Sequence, residues 1–422
     1  MSGKGLILAA PTSGSGKTTV TLGLLRALTQ RGEAVRGAKS GPDYIDPRFH
    51  EAACGQVSMN LDAWAMPKHR IRALADGDGL LLIEGAMGLF DGAPPDGDGA
   101  TADLARILGL PVVLVVNAGH MSHSVAALVR GFASHDPEVR VAGVILNNVG
   151  SPRHEAMLRR ALAPLGLPVL GALRRDPALA LPDRHLGLVQ ASEHPDLTGF
   201  LDRAAEAVAA QVDLDALTAL ACATATAPAR APAKAPARIA IARDAAFSFT
   251  YPHQIADWTR AGSTLLSFSP LADEPVPEAD LVYLPGGYPE LHAATLAANT
   301  AFLGSLRDVA RTTDIYGECG GYMVLGESLT DAGGTAHRMA GLIGLSTSFA
   351  QRKLHLGYRR LTSRWNALPG THMAHEFHYA TTLAADGTPL FEAQDAEGTQ
   401  LPPMGLIEGR VAGSFAHIID HV

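Results

Sequence analysis

Residues 5–30 read GLILAAPTSGSGKTTVTLGLLRALTQ, and their reading decides the fold of the first half of the chain. Residues 6–10 form an apolar run of strand length, whereas Val20, Leu24, Leu25 and Leu28 recur at helical spacing. The PTSGSGKT loop at 11–18 lies between them. A glycine-rich loop that leads from a buried strand into a helix points successive backbone N–H groups at an anion. Lys17 then reaches terminal phosphates and the Thr18 hydroxyl can ligate Mg²⁺. Pro11 stands where the GxxxxGK[ST] pattern has its first glycine, but a turn that merely starts a helix would need neither Lys17 nor Thr18. Gly14, Ser15, Gly16, Lys17, Thr18 and Thr19 are therefore the candidate nucleotide-binding residues.

Outward from this loop, further apolar runs at 35–39, 80–84, 112–117, 141–147 and 169–172 alternate with helical patterns and are bounded by Gly, Pro or Asn. That alternation predicts βαβ units and a parallel sheet covered on both faces. In such sheets ligands bind at the carboxyl ends of strands. Glu84, which ends the run LLLIE, is thus the candidate to hold Mg²⁺ or its waters beside Thr18. Asp91 in the following GAMGLFDG reads as a turn residue. The turn KSGPDYIDP at 39–47 follows another strand and carries Lys39, Asp43, Tyr44 and Asp46, candidates for the substrate and phosphate side, with Asp43 also a candidate metal ligand. Asn147 ends a strand where its amide could read an adenine edge.

The sharpest break in composition is ATATAPARAPAKAPA at 223–237, which reads as a linker. Strand-like runs resume at 239–242, 264–268, 281–284 and 315–317, so a second α/β domain is expected from about residue 238. Within it YGECGGYM at 316–323 sets Cys319 between a strand and a predicted helix. This is the pattern of a nucleophile elbow, in which the sulfur is exposed and the helix N-terminus favours thiolate. A base is needed, and the histidine-rich segments 372–378 and 417–421 supply candidates. The turn LPGGYPE at 284–290 offers Gly286 and Gly287 which, with Gly320, form a candidate oxyanion hole.

Composition narrows the function classes. The chain has 422 residues, 47% hydrophobic and 18% charged, enough for two or three cored domains. With 34 Lys+Arg against 42 Asp+Glu the formal charge is −8, which argues against nucleic acid or anionic lipid as a partner. Three separated cysteines, Cys54, Cys222 and Cys319, make neither a disulfide framework nor a zinc site and suggest a cytoplasmic setting. No apolar run is long enough to span a bilayer.

Taken in order, PTSGSGKTT, KSGPDYIDPRFH, IEGAMGLFDG, LPDRHLGL, ARDAAFSFTYP, FSPLADEP, YLPGGYPELH, ECGGYM and HEFHY run through nearly the whole chain. With these motifs the sequence resembles the cobyrinic acid a,c-diamide synthase family. The resemblance implies a P-loop, dethiobiotin-synthetase-like domain at 1–222, the linker at 223–237 and a flavodoxin-like class I glutamine amidotransferase domain at 238–422. It also implies a carbon–nitrogen ligase of cobalamin biosynthesis that uses ATP, Mg²⁺ and glutamine on a corrinoid substrate. Cys319, activated by His417 in GSFAHIIDH, would release ammonia from glutamine. The other domain would phosphorylate the a and c carboxylates for ammonia to displace the phosphate. Hydrogenobyrinic acid is the expected substrate, with cobyrinic acid or a nickel tetrapyrrole as alternatives; a P-loop regulatory ATPase is the alternative of a different class. Class I glutamine sites carry an acid two residues after the histidine, where this sequence has Ile419, so the third member of the triad stays open. The oligomeric state stays open too, a homodimer included.

Overall fold

The computed structural model describes residues 3–179, 190–225, 227 and 235–421; the LPDRHLGL motif at 181–188 and the centre of the Ala/Pro-rich stretch lie outside the described residues. The chain divides into two compact units, Met1–Arg230 and Ala231–Val422.

Unit 1 carries strands β1 (Lys4–Ala9), β2 (Val35–Ser40), β3 (Met59–Leu61), β4 (Leu80–Glu84), β5 (Val112–Asn117), β6 (Val141–Val149), β7 (Val169–Arg174) and β8 (Cys222–Ala223). Its helices are α1 (Lys17–Gln30), α2 (Asp46–Cys54), α3 (Lys68–Ala75), α4 (Thr101–Leu108), α5 (Val125–Ser134), α6 (Pro152–Leu162), α7 (Leu197–Gln211) and α8 (Leu214–Leu220). The sheet order is β3-β2-β4-β1-β5-β6-β7, with every step parallel. Near-continuous apolar strands such as LLLIE, buried along their whole length, are what a sheet with both faces covered requires. Two elements were not foreseen. Strand β3, three residues long, is too short to show a period, and β8 lies antiparallel on Lys4 and Gly5 of β1. Ala223, the first residue of the Ala/Pro-rich stretch, is thus paired to the first sheet: a small residue next to a Pro-rich run can still pair its backbone.

Unit 2 begins with β9 (Arg238–Ala242), α9 (Pro252–Arg260), β10 (Thr264–Phe268), β11 (Leu281–Leu284), α10 (Ala293–Ala298), α11 (Thr300–Val309), β12 (Asp314–Glu318) and α12 (Gly320–Leu325). Ten further strands follow: β13 (Ser328–Thr330), β14 (Ala336–Arg338), β15 (Gly344–Ser348), β16 (His355–Ser363), β17 (Thr371–His378), β18 (Thr381–Asp386), β19 (Thr388–Gln394), β20 (Gln400–Glu408), β21 (Val411–Ser414) and β22 (Ala416–His421). The large sheet runs β10-β9-β11-β12-β21-β20-β19-β16-β17-β22. Its first five strands are parallel, and the remainder is antiparallel. A small sheet, β14-β13-β15-β18, stands beside it. The expected flavodoxin-like half is present, and the antiparallel half is new. Strand β16 shows why: HLGYRRLTS buries only Leu361, so little hydrophobic periodicity reaches the sequence.

Candidate active site

In unit 1 the site is built at one end of three adjacent strands. Register pairs Leu8 of β1 with Glu84 of β4 and Lys39 of β2 with the same Glu84. The carboxyl ends of β2 and β4 therefore meet the loop that leaves β1. That loop turns into α1 through Gly16 at φ 84°, where an L side chain is strained; a Cβ there would also sit 2.1 Å from Asn147 Nδ2. Asn147 Nδ2 donates to the Ser15 carbonyl at 3.0 Å. The structure thus sets this amide against the loop backbone, a role that the adenine reading overlooked.

The polar groups form one network. Thr18 Oγ1 donates to Glu84 Oε1 at 2.6 Å, and Lys39 Nζ donates to the same oxygen at 2.9 Å. Lys39 also pairs with Asp46 and lies 3.9 Å from Asp43 Oδ2. Asp43 caps its own turn, accepting from the Ile45 amide at 2.7 Å. Burial penalises the Glu84 carboxylate, yet the Lys39 ammonium, His50 and Thr18 hold its pKa far below the usual range. Burial likewise opposes the charge on Lys39, but Asp46, Glu84 and Asp43 keep it protonated. Desolvation and the neighbouring Lys39 lower the pKa of Lys17.

Two features, His50 and Met87, escaped the sequence reading, while Asp91 holds the turn place expected of it. His50 is fully buried and bonds Glu84 Oε2 through Nε2 at 2.7 Å. Because an ionised carboxylate only accepts, the Nε2 proton is donated, which leaves Nδ1 to take the Ser58 hydroxyl at 3.1 Å. The only sequence signal was the place of His50 at the end of KSGPDYIDPRFH. Met87, at φ 45°, turns its carbonyl to Lys17 Nζ at 2.5 Å; nothing in its residue type announces that. Asp91 closes the same turn by accepting from the Gly88 amide at 2.9 Å. Of the other candidates, Thr19 Oγ1 donates to the Leu179 carbonyl at 3.3 Å, and Tyr44 is half-buried in the Asp43 turn.

In unit 2, Cys319 caps α12 at φ 45° and ψ −101°, the backbone strain of an elbow. Its amide donates to the Ser414 carbonyl at 2.8 Å. Two expectations about the sulfur are corrected. Cys319 is 4% exposed rather than open. Burial, reinforced by Glu290 and then by Glu318 and Glu376, pushes its thiol well up, with only the Gly320 amide opposing. The six-residue helix α12 is outweighed by desolvation and carboxylates.

The turn after β11 lies between the elbow and His417. A Cβ on Gly286 would meet His417 Cε1 at 2.3 Å, and one on Gly320 would meet the Gly287 nitrogen at 3.0 Å. The second histidine-rich segment brings the His417 ring to this turn. His372 pairs with His421 at 2.8 Å between Nδ1 atoms. His378 bonds Glu376 at 3.1 Å, and Arg359 holds the other oxygen of Glu376 through two nitrogens at 2.9 and 2.7 Å. His355, Glu376 and His378 bring ligand-type atoms within 4.8 Å of one another. The His355 and His378 rings, however, stack at 4.6 Å and 4°; parallel lone pairs do not converge on an ion, so the group reads as packing of β16 on β17. The acid two residues after His417 is missing, since Ile419 is buried at 1% exposure. Instead Glu318 Oε2 lies 3.7 Å from His417 Nδ1.

Comparison with known proteins defines the class first. Residues 6–189 match the CobQ/CobB/MinD/ParA nucleotide binding domain, and residues 238–421 match the CobB/CobQ-like glutamine amidotransferase domain. Together these make the chain a glutamine-dependent, amide-forming enzyme with a nucleotide-binding domain, and the regulatory-ATPase alternative falls away. The chain is 56% identical to the hydrogenobyrinate a,c-diamide synthase of Brucella abortus biovar 1, over 99% of its own length and 98% of that protein. Against the synthase of the same name from Rhodobacter capsulatus it is 55% identical, with coverage of 99% and 98%. For that of Rhizobium meliloti the identity is 54% over 99% of both. The chain belongs to the hydrogenobyrinate a,c-diamide synthase family.

Proposed function

We propose that this chain amidates the a and c carboxylates of hydrogenobyrinic acid in cobalamin biosynthesis, using ATP and the ammonia it releases from glutamine. The observation that carries the reading is similarity along 99% of the chain to synthases of that name, in a protein with a phosphate loop in one unit and a cysteine elbow in the other.

In the second unit Cys319 would pass its proton to His417 and attack the glutamine amide, with the backbone donors of Gly286, Gly287 and Gly320 facing the developing oxyanion. Hydrolysis of the resulting thioester returns the cysteine. Because the Cys319 thiol is held protonated at rest, proton transfer belongs to the catalytic step.

In the first unit Gly14, Ser15, Gly16, Lys17, Thr18 and Thr19 would hold ATP. Lys17 must first leave the Met87 carbonyl to reach a phosphate, while Asn147 keeps the loop in shape. Mg²⁺ suits the donor set, since Thr18, Glu84 and Asp43 offer hard oxygens and carboxylates outnumber the cations around them; when bound, it would neutralise phosphate charge. A substrate carboxylate enters beside Asp43, Tyr44 and Asp46 and takes the γ-phosphoryl group, and Lys39 offsets the charge of the acyl phosphate. Ammonia then displaces phosphate and leaves a carboxamide.

Among the described residues no helix is long and apolar enough to cross a membrane, and Cys54, Cys222 and Cys319 are free. Mass spectrometry of the full chain with ATP, Mg²⁺ and glutamine, offering hydrogenobyrinic and cobyrinic acid in separate tubes, tests the reading. Two successive amidations of the metal-free acid are expected. Amidation of the cobalt form alone would reassign the substrate, and no mass change with either would leave a nickel tetrapyrrole to try. Light scattering on the same sample tests for a homodimer.

A further inference from the structure

The residue two places after His417 carries no acid, but the fold brings a carboxylate to the same imidazole from another strand. Glu318 of β12 pairs in register with Ser414 of β21, and the chain turns from there into β22, which carries His417. The Glu318 and His417 side chains are each 2% exposed, with Oε2 3.7 Å from Nδ1. We propose that Glu318, the residue immediately before the nucleophile, is the acid that orients His417 and stabilises its protonated form during attack on glutamine. This rests on the assignment of Cys319 and His417 made above.

The carboxylate is held for such a task. Tyr283 of β11 donates its hydroxyl to Oε2 at 2.7 Å, and the Ile418 amide of β22 donates to Oε1 at 3.0 Å. Burial and the charge of Glu318 push both Tyr283 and Tyr316 well above the usual phenol range, so both stay protonated. Glu318 is thus clamped between β11 and the strand that bears His417. Asp420, the nearest other acid on that strand, accepts from the His421 amide at 3.0 Å.

The surroundings of the sulfur say why an acid is needed. Burial, with Glu290, Glu318 and Glu376, disfavours a bare Cys319 thiolate, so a cation beside the sulfur favours its formation. With Nδ1–H turned toward Glu318, Nε2 is the nitrogen that takes the thiol proton. The Cys319 Sγ proton moves to Nε2, the S–C bond forms and the carbonyl π pair moves to oxygen. As the oxyanion collapses the C–N bond breaks, and the Nε2 proton leaves with ammonia. Glu318 stays ionised throughout and moves no proton. Its 3.7 Å separation, long for a hydrogen bond, is expected to close as the imidazole gains charge, as resting catalytic contacts often do.

Glutamine hydrolysis by the full-length protein tests this. Glu318→Gln should lower kcat by roughly 10²- to 10⁴-fold with little change in KM. The loss should fall on kcat for glutamine while KM and ammonia-dependent amidation are kept, which a merely structural role would not confine to one constant. A kcat within about threefold of the parent, or a slower glutaminase matched by an equal loss of ammonia-dependent amidation, overturns the proposal. Thermal melting checks the fold. Should Glu318→Gln fail to fold, Glu318→Asp decides: drawing the charge back by one methylene should cost kcat about tenfold with KM kept, and an unchanged kcat overturns the proposal. Cys319→Ala and His417→Asn run alongside. If they retain glutaminase, the Cys–His assignment itself fails; if they lose it while Glu318→Gln does not, only the role of Glu318 falls.

Discussion

At the scale of single residues, Lys39 bears the heaviest demand. Its ammonium stands among Glu84, Asp46 and Asp43 with its side chain 6% exposed, and removing one partner of a buried pair is far costlier than the pair is stabilising. Lys39→Met should therefore destabilise the protein by roughly 3–5 kcal/mol and abolish amidation with either nitrogen source, as read by thermal melting and product mass. A variant that melts with the parent would show that the three acids do not depend on this cation. The sequence marked Lys39, Asp43, Asp46 and Glu84 from their places at strand ends. His50 it could not mark, because a histidine in a helix carries no local sign that it faces a carboxylate from another strand.

Elements set the next level. The elbow depends on α12 lying hard against the end of β11, and a Cβ on Gly321 would come within 2.0 Å of the Leu284 carbonyl oxygen. Gly321→Ala should cost about 1–3 kcal/mol, typical of overpacking, and slow glutamine hydrolysis by shifting Cys319; calorimetry with a glutaminase assay reads both. Strands β16 and β17 are joined by Arg359 and Glu376. Burial disfavours the Glu376 carboxylate, but His378 and Arg359 hold its pKa at about 2. A carboxylate whose pKa is depressed on folding adds stability above its unfolded pKa and loses it as the pH falls through the folded value. That contribution, on the order of 3 kcal/mol at neutral pH, should fade between about pH 4.5 and 2. Glu376→Gln should accordingly melt earlier than the parent at pH 7, with the gap narrowing toward pH 2; a gap that stays constant with pH would refute this. Neither strand was legible beforehand: β16 is mostly half-buried with Leu361 alone buried, and β17 alternates but buries His372, Glu376 and His378, whose polar side chains hide its period.

For the whole molecule, the two sites should be separable by mutation. Cys319→Ala is expected to abolish glutamine use and keep ammonia-dependent amidation, because only the first half-reaction needs the sulfur. Lys17→Ala should stop amidation from either source and leave some glutamine hydrolysis. Loss of both activities in folded Cys319→Ala, or unimpaired synthesis in Lys17→Ala, would sink the two-site account. By itself the sequence determined the elements that make these sites: the phosphate loop between β1 and α1, the strand ending in Glu84, and the elbow at Cys319. Each is written in a few consecutive residues, where glycine placement and apolar runs act locally. The tertiary structure alone decided which of them meet. Lys39, Glu84 and Thr18 converge because β4 lies between β2 and β1, and Glu318 faces His417 because β12 pairs with β21. Those contacts join residues as far as 99 positions apart, and backbone pairing between distant strands leaves no periodic trace in the chain that carries it.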